Sequence, residues 1–241
     1  MSITGNERVT CLCGAPVEVT LAESINAARH PHLREMVLAR TLHRFACGSC
    51  ARTLVFEKAL SYVDWDRRQL IQVAARGDLH RADVLADETR ELRDRAFRVG
   101  PQAVQALKSS FFVRLCFGYE ELREKLVAFD AGLDDGLLEL VKCEVLAAEP
   151  AMADSGVLTL RLDAVEDDGS LRFVVERITP AAGPEVVTVQ RALYDHLAGL
   201  PDEVKARRPR IENGPHVSLL RLFDWPKPSA SGAAPVRRSL L

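Results

Sequence analysis

Four cysteines near the start of the chain are the residues whose spacing most clearly predicts chemistry. They form two pairs, in the sequences CLCG at 11–14 and CGSC at 47–50. Four thiolates from two short turns can complete a tetrahedral shell around Zn²⁺, and such a shell leaves no open position for a substrate. We therefore predict a structural zinc site with these ligands: Cys11, Cys13, Cys47 and Cys50.

The first pair is irregular because only one residue separates its cysteines. A zinc knuckle needs a turn of the backbone that directs both sulfurs toward one metal ion. With a single residue between the cysteines, both sulfurs can reach the same ion only if that turn lies between them. Gly14 can supply the backbone angles that such a turn needs. Three alternatives stay open: a decayed site held by packing alone, a disulfide between the two pairs, or His43 replacing one thiolate from its position four residues before Cys47.

Alternating apolar and polar residues predict strands around both pairs. Residues 8–22 predict a hairpin with the first pair at its tip, and residues 41–46 and 52–60 predict strands flanking the second. Pro31 suits the first turn of a short helix between them. A further strand is predicted over 68–75.

Beyond residue 77 the hydrophobic period changes to that of helices and then returns to that of strands. The charged segment 79–99 predicts one helix, and 119–148 predicts two helices separated near Gly132. We favour a strand over the apolar run 111–117. Later elements are predicted in this order: a hairpin over 157–162 and 171–176 with an EDDG turn, a strand and helix over 186–200, and a short element over 217–223.

The predicted fold class is α+β, with a small zinc-ribbon-like antiparallel sheet at the N-terminus, a helical middle and a second α+β part that contains a β-hairpin. The predicted division is a core domain over 7–77, a helical continuation over 78–148, an α+β part over 149–225 and a tail over 226–241. The tail is rich in Pro, Ser, Gly and Ala, and we expect it to be disordered.

Composition limits the function classes. Among 241 residues, 32 basic and 34 acidic side chains nearly cancel, so no overall field attracts nucleic acid or an anionic membrane. No stretch approaches the roughly 20 apolar residues of a membrane helix. Four of the six cysteines are paired, which is typical of metal ligands in a reducing compartment. We expect a cytoplasmic protein.

The order of these features resembles the CpXC domain family of bacteria and archaea over about residues 7–148. The resemblance rests on both cysteine pairs, on ESIN at 23–26, on Tyr62 and Asp64, and on the pieces ELREKL, FDAGLDD and LELVK. It implies zinc binding and supplies no established activity. The chain departs from the family pattern Cys-Pro-x-Cys-Gly, since both prolines are absent and the first pair is one residue short.

Three polar residues from the family-like segment form a candidate ligand pocket: Asn26, Tyr62 and Asp64. Turn formation explains Asn and Ser near position 26 equally well. The acidic residues at 130–139 suit helix capping better than a magnesium site, and those at 163–168 suit a solvated turn. We read Cys116 and Cys143 as buried hydrophobes.

No nucleotide-binding loop, dinucleotide fingerprint or hydrolase signature is found, so we favour a non-catalytic role. The preferred hypothesis is a bacterial zinc-binding accessory or adaptor protein that binds a protein partner, with the C-terminal tail as a docking peptide. One alternative is a small-molecule-binding protein or enzyme with a pocket between the N-terminal sheet and the helices. Another is a nucleic-acid-binding regulator using the basic run 205–210. Nucleic acid is not the expected partner, and no membrane association is expected.

Overall fold

The computed structural model describes residues 2–98, 102–148, 157–177 and 185–222. These residues form two compact units. The first contains the described residues up to 126 together with Gly214–His216, and the second contains those from 127 to 213 and from 217 onward. The predicted domain division stays a prediction, and the predicted tail over 226–241 lies outside the described residues.

A mixed sheet is the main element of the first unit. Five of its strands follow the spatial order β1-β2-β5-β6-β7, while β3 and β4 form a separate two-stranded sheet. The bounds of these seven strands are β1 Ile3–Thr10, β2 Pro16–Asn26, β3 Arg44–Ala46, β4 Thr53–Val55, β5 Leu60–Asp64, β6 Gln69–Ala74 and β7 Phe112–Phe117.

The two hairpins that carry the cysteine pairs, β1–β2 and β3–β4, are antiparallel as predicted. The sheet also contains parallel pairs, among them β2 with β5 and β6 with β7, which the sequence patterns did not reveal. Parallel strands require long connections, here supplied by helices and by the second cysteine hairpin. The predicted single strand over 52–60 is divided into β4 and the start of β5.

Strand register sorts the side chains onto two faces, because paired residues project to the same side of a sheet. We call one the Tyr62 face; it carries a row of paired residues, Ile25, Tyr62, Ile71 and Arg114. We call the other the Val63 face; its corresponding row is Asn26, Val63, Leu70 and Val113.

A buried apolar cluster covers one of these faces. On the Val63 face, Phe97 of α2 (Ala82–Arg98) joins a buried cluster with Leu70, Phe111 and Val113. The remaining helices of this part of the chain are α1 Pro31–Leu38, α3 Gln102–Gln105 and α4 Tyr119–Asp130, with 3₁₀ turns at Arg76–Arg81 and Lys108–Ser110.

The second unit packs helices against a three-stranded antiparallel sheet of order β10-β9-β8. Its buried core includes Leu138, Val141, Leu160, Phe173 and Leu197. The elements of this part are β8 Val157–Val165, β9 Leu171–Arg177, β10 Val186–Val189, α5 Asp135–Ala148, α6 Arg191–Ala198 and α7 Pro201–Ile211, followed by the short strands β11 Glu212–Asn213 and β12 His216–Val217 and a 3₁₀ turn at Leu219–Leu222.

Two features of the second unit that the sequence predicted from local residue types are present in the structure. Asp134 precedes α5, and its Oδ1 accepts the Leu137 N–H at 2.8 Å, which confirms the predicted cap. Gly169 has a φ of 81° in the turn that closes the β8–β9 hairpin. The basic run 205–210 lies on α7 and was not predicted as a helix, because Pro209 interrupts its pattern.

The α+β fold class is therefore confirmed, with helices and sheets both present and the cysteines on N-terminal hairpins. Across the described ranges, no helix has the length and apolar character needed to span a lipid bilayer.

Candidate metal centre

The two cysteine hairpins bring four sulfur atoms together. The Sγ atoms of all four cysteines lie within 4.8 Å of one another. Cys11 Sγ is 3.7 Å from Cys50 Sγ, and Cys13 Sγ is 3.7 Å from Cys47 Sγ. Among the residues described by the structure, this is the one group of three or more His, Cys, Asp or Glu side chains that could hold a metal ion.

These separations fit a metal shell and exclude a formed disulfide. Bonds of about 2.3 Å from a tetrahedral centre place sulfurs about 3.8 Å apart, whereas a disulfide joins them at about 2.05 Å. All four cysteines are free thiols. The donor set therefore matches a four-thiolate site for a soft or borderline metal ion.

A tight turn solves the spacing problem of the first pair. The Gly14 N–H donates to the Cys11 carbonyl at 2.8 Å, and the Cys11 N–H donates to the Ala15 carbonyl at 2.9 Å. Gly14 has a φ of 88°, which favours glycine. Because the chain reverses between the cysteines, both sulfurs reach the same site, and Leu12 is left projecting outward with 86% of its surface exposed.

The second pair sits in a loop whose backbone favours thiolate. Hydrogen bonds from the N–H groups of Ser49 and Cys50, supported by nearby sulfurs and opposed by desolvation, lower the pKa of Cys47 to about 6. At Cys50 the Arg52 N–H lowers the pKa, but the neighbouring sulfurs and desolvation outweigh it and raise the pKa to about 11. Thiolates so close repel one another, so a cation at their centre would allow all four to ionise.

Burial divides the four cysteines into two classes. Cys11 and Cys47 are each 2% exposed, whereas Cys13 and Cys50 lie at the surface. Each 3.7 Å pair therefore joins a buried sulfur on one hairpin to a surface sulfur on the other. This arrangement places the tips of the two hairpins side by side.

His43 uses both ring nitrogens away from the sulfurs. Its Nε2 accepts the Ala22 N–H at 2.7 Å, so the neutral ring carries its proton on Nδ1, which lies 2.7 Å from the Tyr119 hydroxyl. That hydroxyl in turn donates to the Lys58 carbonyl and accepts the Lys58 N–H. Burial lowers the pKa of His43 to about 4, and the Lys58 charge adds to this effect. The alternative in which His43 replaces a thiolate is not supported.

Comparison with known protein families identifies the family of this chain. The model of the family described as CpXC protein matches residues 9–142, which is more than half of the chain. The chain belongs to the CpXC family. The match covers both cysteine pairs and the helices α1, α2 and α4, and it confirms the resemblance drawn from the sequence. Searches among curated proteins and among solved structures returned no match.

The three residues of the candidate ligand pocket are not brought to one face. Tyr62 and Asp64 lie on the Tyr62 face and are fully buried. Asn26 pairs with Val63 and so projects from the opposite face, where its Oδ1 accepts the Arg29 N–H at 3.2 Å. Ligand binding by this set stays a prediction.

Asp64 organises the turn between β5 and β6. Its Oδ1 accepts the N–H groups of Asp66 and Arg67, and its Oδ2 accepts the Arg67 guanidinium at 3.0 Å. Burial is the main cause that raises the pKa of Tyr62, so its phenol stays protonated. Gln69 on β6 is the cross-strand neighbour of Asp64.

The other charged residues singled out in the sequence form ion pairs within the protein. The basic run on α7 contributes Arg207 to an ion pair with Glu144, and Arg208 to ion pairs with Asp134 and Glu212. Arg172 forms ion pairs with Asp163 of β8 and with Glu166 of the following turn. Cys116 is buried, and Cys143 is half-buried with its pKa raised mainly by burial. These placements favour structural roles for those charges and thiols.

Proposed function

We propose that Cys11, Cys13, Cys47 and Cys50 hold a structural Zn²⁺ ion in a non-catalytic accessory protein that binds a protein partner. The observation that carries the metal assignment is the set of four sulfurs within 4.8 Å of one another. Zinc accepts four thiolates in tetrahedral geometry without any redox requirement. The ion would cross-link the two hairpins and would neutralise the charge of the thiolates.

Metal content tests the first part. Native mass spectrometry under reducing conditions should show an increment of about 63 Da per chain, which is zinc less two protons. Elemental analysis separates zinc from iron or copper, which thiolate sites also accept. The Cys13→Ser variant should lose most of the metal, whereas Cys116→Ser, which changes a cysteine outside the group, should retain it. Wild-type protein purified without bound metal, and unable to take up zinc, would overturn the assignment.

The non-catalytic role is supported by the ligand count. Four protein sulfurs saturate a tetrahedral ion, so no coordination position is left to polarise a substrate or activate water. A saturated site acts through the shape that it stabilises. In this protein that shape is a pair of hairpin tips with Leu12 at the surface.

Leu12 supports the partner-binding part of the proposal. It is the most exposed of the large hydrophobic side chains in the described residues, and its position between two metal ligands fixes its direction. Rigid exposed apolar side chains are suited to anchor an interface. Leu12→Asp should abolish partner capture in a quantitative cross-linking and pull-down comparison while leaving zinc stoichiometry unchanged, and Val186→Asp, at an exposed site in the second unit, serves as the matched control.

The predicted tail is tested separately. Removal of residues 226–241 should reduce the capture of the same partners if the tail docks as a peptide. An unchanged partner set after both truncation and Leu12→Asp would overturn partner binding through either segment.

A further inference from the structure

Strand β1 forms one edge of the mixed sheet, and its outer side is open. Among the described residues, β1 pairs with β2 and with no other strand. The strand is eight residues long, and most of its residues are exposed. An edge strand of this length presents a row of backbone N–H and C=O groups with which a further strand can pair.

The register of the β1–β2 hairpin shows which backbone groups point outward. The Cys11 N–H donates across the hairpin to the Ala15 carbonyl at 2.9 Å. Backbone groups alternate in direction along an antiparallel strand, so those of the odd-numbered residues of β1 point toward β2. The pairing of Thr10 with Pro16 agrees with this alternation, because proline has no N–H to donate. The even-numbered residues of β1 therefore direct their N–H and C=O groups away from the sheet.

Three of these outward positions follow one another along the middle of β1. No hydrogen bond within the described structure uses their backbone groups: Thr4, Asn6 and Arg8. Natural edge strands are often protected by a proline, a bulge or a covering element. β1 contains no proline, its register is regular from Thr4 to Thr10, and its outward residues are exposed. This edge is therefore available for pairing.

The hairpin also has few strand neighbours to support it. β2 pairs with β5 only at its end, over Ser24, Ile25 and Asn26. The rest of the β1–β2 hairpin has no third strand in this sheet among the described residues. Two-stranded ribbons are marginally stable, whereas ribbons with three or more strands are stable. An added strand on β1 would thus stabilise the hairpin that carries the first cysteine pair.

Charges on β1 do not oppose such pairing, because each has a partner within the chain. Glu7 accepts the Lys58 ammonium at 2.9 Å, and Arg8 lies 3.4 Å from the Glu18 carboxylate. Charged side chains protect an edge mainly by repelling a like charge on the incoming strand. The register of the incoming strand therefore decides whether repulsion occurs.

A second copy of β1 fits this edge in one register. Antiparallel pairing about a two-fold axis must set outward positions against outward positions. An axis at Asn6 sets Thr4 opposite Arg8 of the second copy and Ile3 opposite its Val9. No like charges face each other directly in this register, and two apolar side chains meet at each end.

The neighbouring two-fold registers are less favourable. An axis at Glu7 sets the two Glu7 carboxylates directly opposite, and an axis at Arg8 does the same for the two arginines. Like charges in directly opposed positions destabilise a pair of strands. An axis at Gly5 shortens the overlap and sets Ile3 opposite a charged Glu7. Side-chain chemistry therefore selects the axis at Asn6.

We propose that β1 pairs antiparallel with β1 of a second copy of this chain, about a two-fold axis at Asn6. The pairing supplies about six backbone hydrogen bonds and joins the two mixed sheets into one. This inference goes beyond the proposed function. The β1 edge contains none of the four cysteines and does not include Leu12, so it is a separate surface.

Sedimentation velocity of the full chain in reducing buffer, from about 1 µM to about 1 mM, tests the dimer. An interface this small should give a reversible dimer with a dissociation constant in the micromolar range. Asn6→Pro should abolish it, because proline removes the outward N–H at the axis, and prolines are tolerated where that N–H faces solvent. Asn6→Ala is the matched control: it keeps the N–H and loses the same side chain, so the dimer should persist.

Charge substitutions at Thr4 test the register. Thr4→Lys faces Arg8 of the second copy twice per dimer and should weaken association by about twofold to thirtyfold, whereas Thr4→Glu should strengthen it by a similar factor. The chain carries a net charge of −2, so a non-specific charge effect would act in the opposite direction. Circular dichroism and thermal unfolding establish that each variant folds. If Asn6→Pro does not fold, the two Thr4 variants decide.

Three results would overturn the proposal. One is a chain that remains monomeric at about 1 mM. Another is a dimer whose dissociation constant is unchanged by Asn6→Pro and by both Thr4 variants, which would place the contact elsewhere. The third is tighter association of Thr4→Lys than of Thr4→Glu, which would contradict the axis at Asn6.

Discussion

Acidification should destabilise the protein through His43, which folding buries in its neutral form. Ala22 donates to Nε2, so protonation of that nitrogen would break the bond and place a charge in a residue that is only 2% exposed. Lys58 disfavours the charged ring further, whereas Glu7 favours it. The pKa of His43 is accordingly lowered from 6.5 to about 4.

The direction of the pH effect follows from proton binding in the two states. Between pH 6.5 and pH 4 the unfolded histidine is mostly protonated and the folded one is mostly neutral, so the unfolded state binds more protons. Stability is therefore complete above the unfolded pKa and decreases as the pH falls through this interval. From pH 7.5 to pH 5, these pKa values predict a loss of about 2 kcal/mol from the unfolding free energy.

Urea unfolding at the two pH values, for wild type and for His43→Gln, measures this contribution. Glutamine offers an acceptor for the Ala22 N–H and does not titrate. Both proteins share every other titrating group, including the four cysteines, so those contributions cancel in the difference between the two pH dependences. The wild type should lose about 2 kcal/mol more than the variant. Equal losses would refute the conclusion that His43 is buried and neutral.

Three further substitutions test local features by the same unfolding measurement. Ala51→Gly should stabilise by about 0.5–1 kcal/mol, because Ala51 follows the second cysteine pair with a φ of 56°, a region that favours glycine. Asp134→Ala should destabilise by about 0.5–2 kcal/mol, since it removes the cap of α5 and the ion pair with Arg208. Lys142→Met should destabilise by about 3–5 kcal/mol, because it leaves the Glu139 carboxylate, 2.7 Å from Lys142 Nζ, buried beside an apolar group.

Control variants and specific outcomes test each of these three expectations. Gly48→Ala, at a position where a Cβ meets nothing within 4 Å, should change stability little, and a destabilising Ala51→Gly would contradict the backbone argument. Asp134→Asn should recover much of the cap, because asparagine is also a good N-cap residue. A change below about 1 kcal/mol in Lys142→Met would contradict the buried ion pair.

Elements governed by local chemistry were predictable from the sequence. The EDDG turn closes its hairpin because Gly169 accepts a positive φ, and Asp134 begins α5 because its carboxylate satisfies a helix N–H. The position of Pro31 predicted the start of α1. Such signals depend on a few neighbouring residues, so they can be recognised in the sequence before the fold is known. The helix over Pro201–Ile211 was missed for the same reason, since Pro209 is a local signal against helix.

The cysteine types and spacings predicted the candidate metal centre, but only the tertiary structure decided that the short first pair takes part. The turn stabilised by Gly14 directs both of its sulfurs to the partners on the other hairpin, at separations of 3.7 Å. The sequence also could not assign His43, which shares its segment with the cysteines. Its ring nitrogens are occupied by Ala22 and by Tyr119, a residue 76 positions away.

By itself, the sequence determined the family, the α+β class and the four candidate thiol ligands, because these depend on residue types at short intervals along the chain. Tertiary structure decided which polar residues share a face. The parallel pairing of β2 with β5 places Asn26 and Tyr62 on different faces of the sheet, and the pairing of β6 with β7 sets Gln69 beside Phe112. Parallel register depends on how distant segments pack, and a shift of one residue exchanges the two faces, so no local pattern could have fixed it.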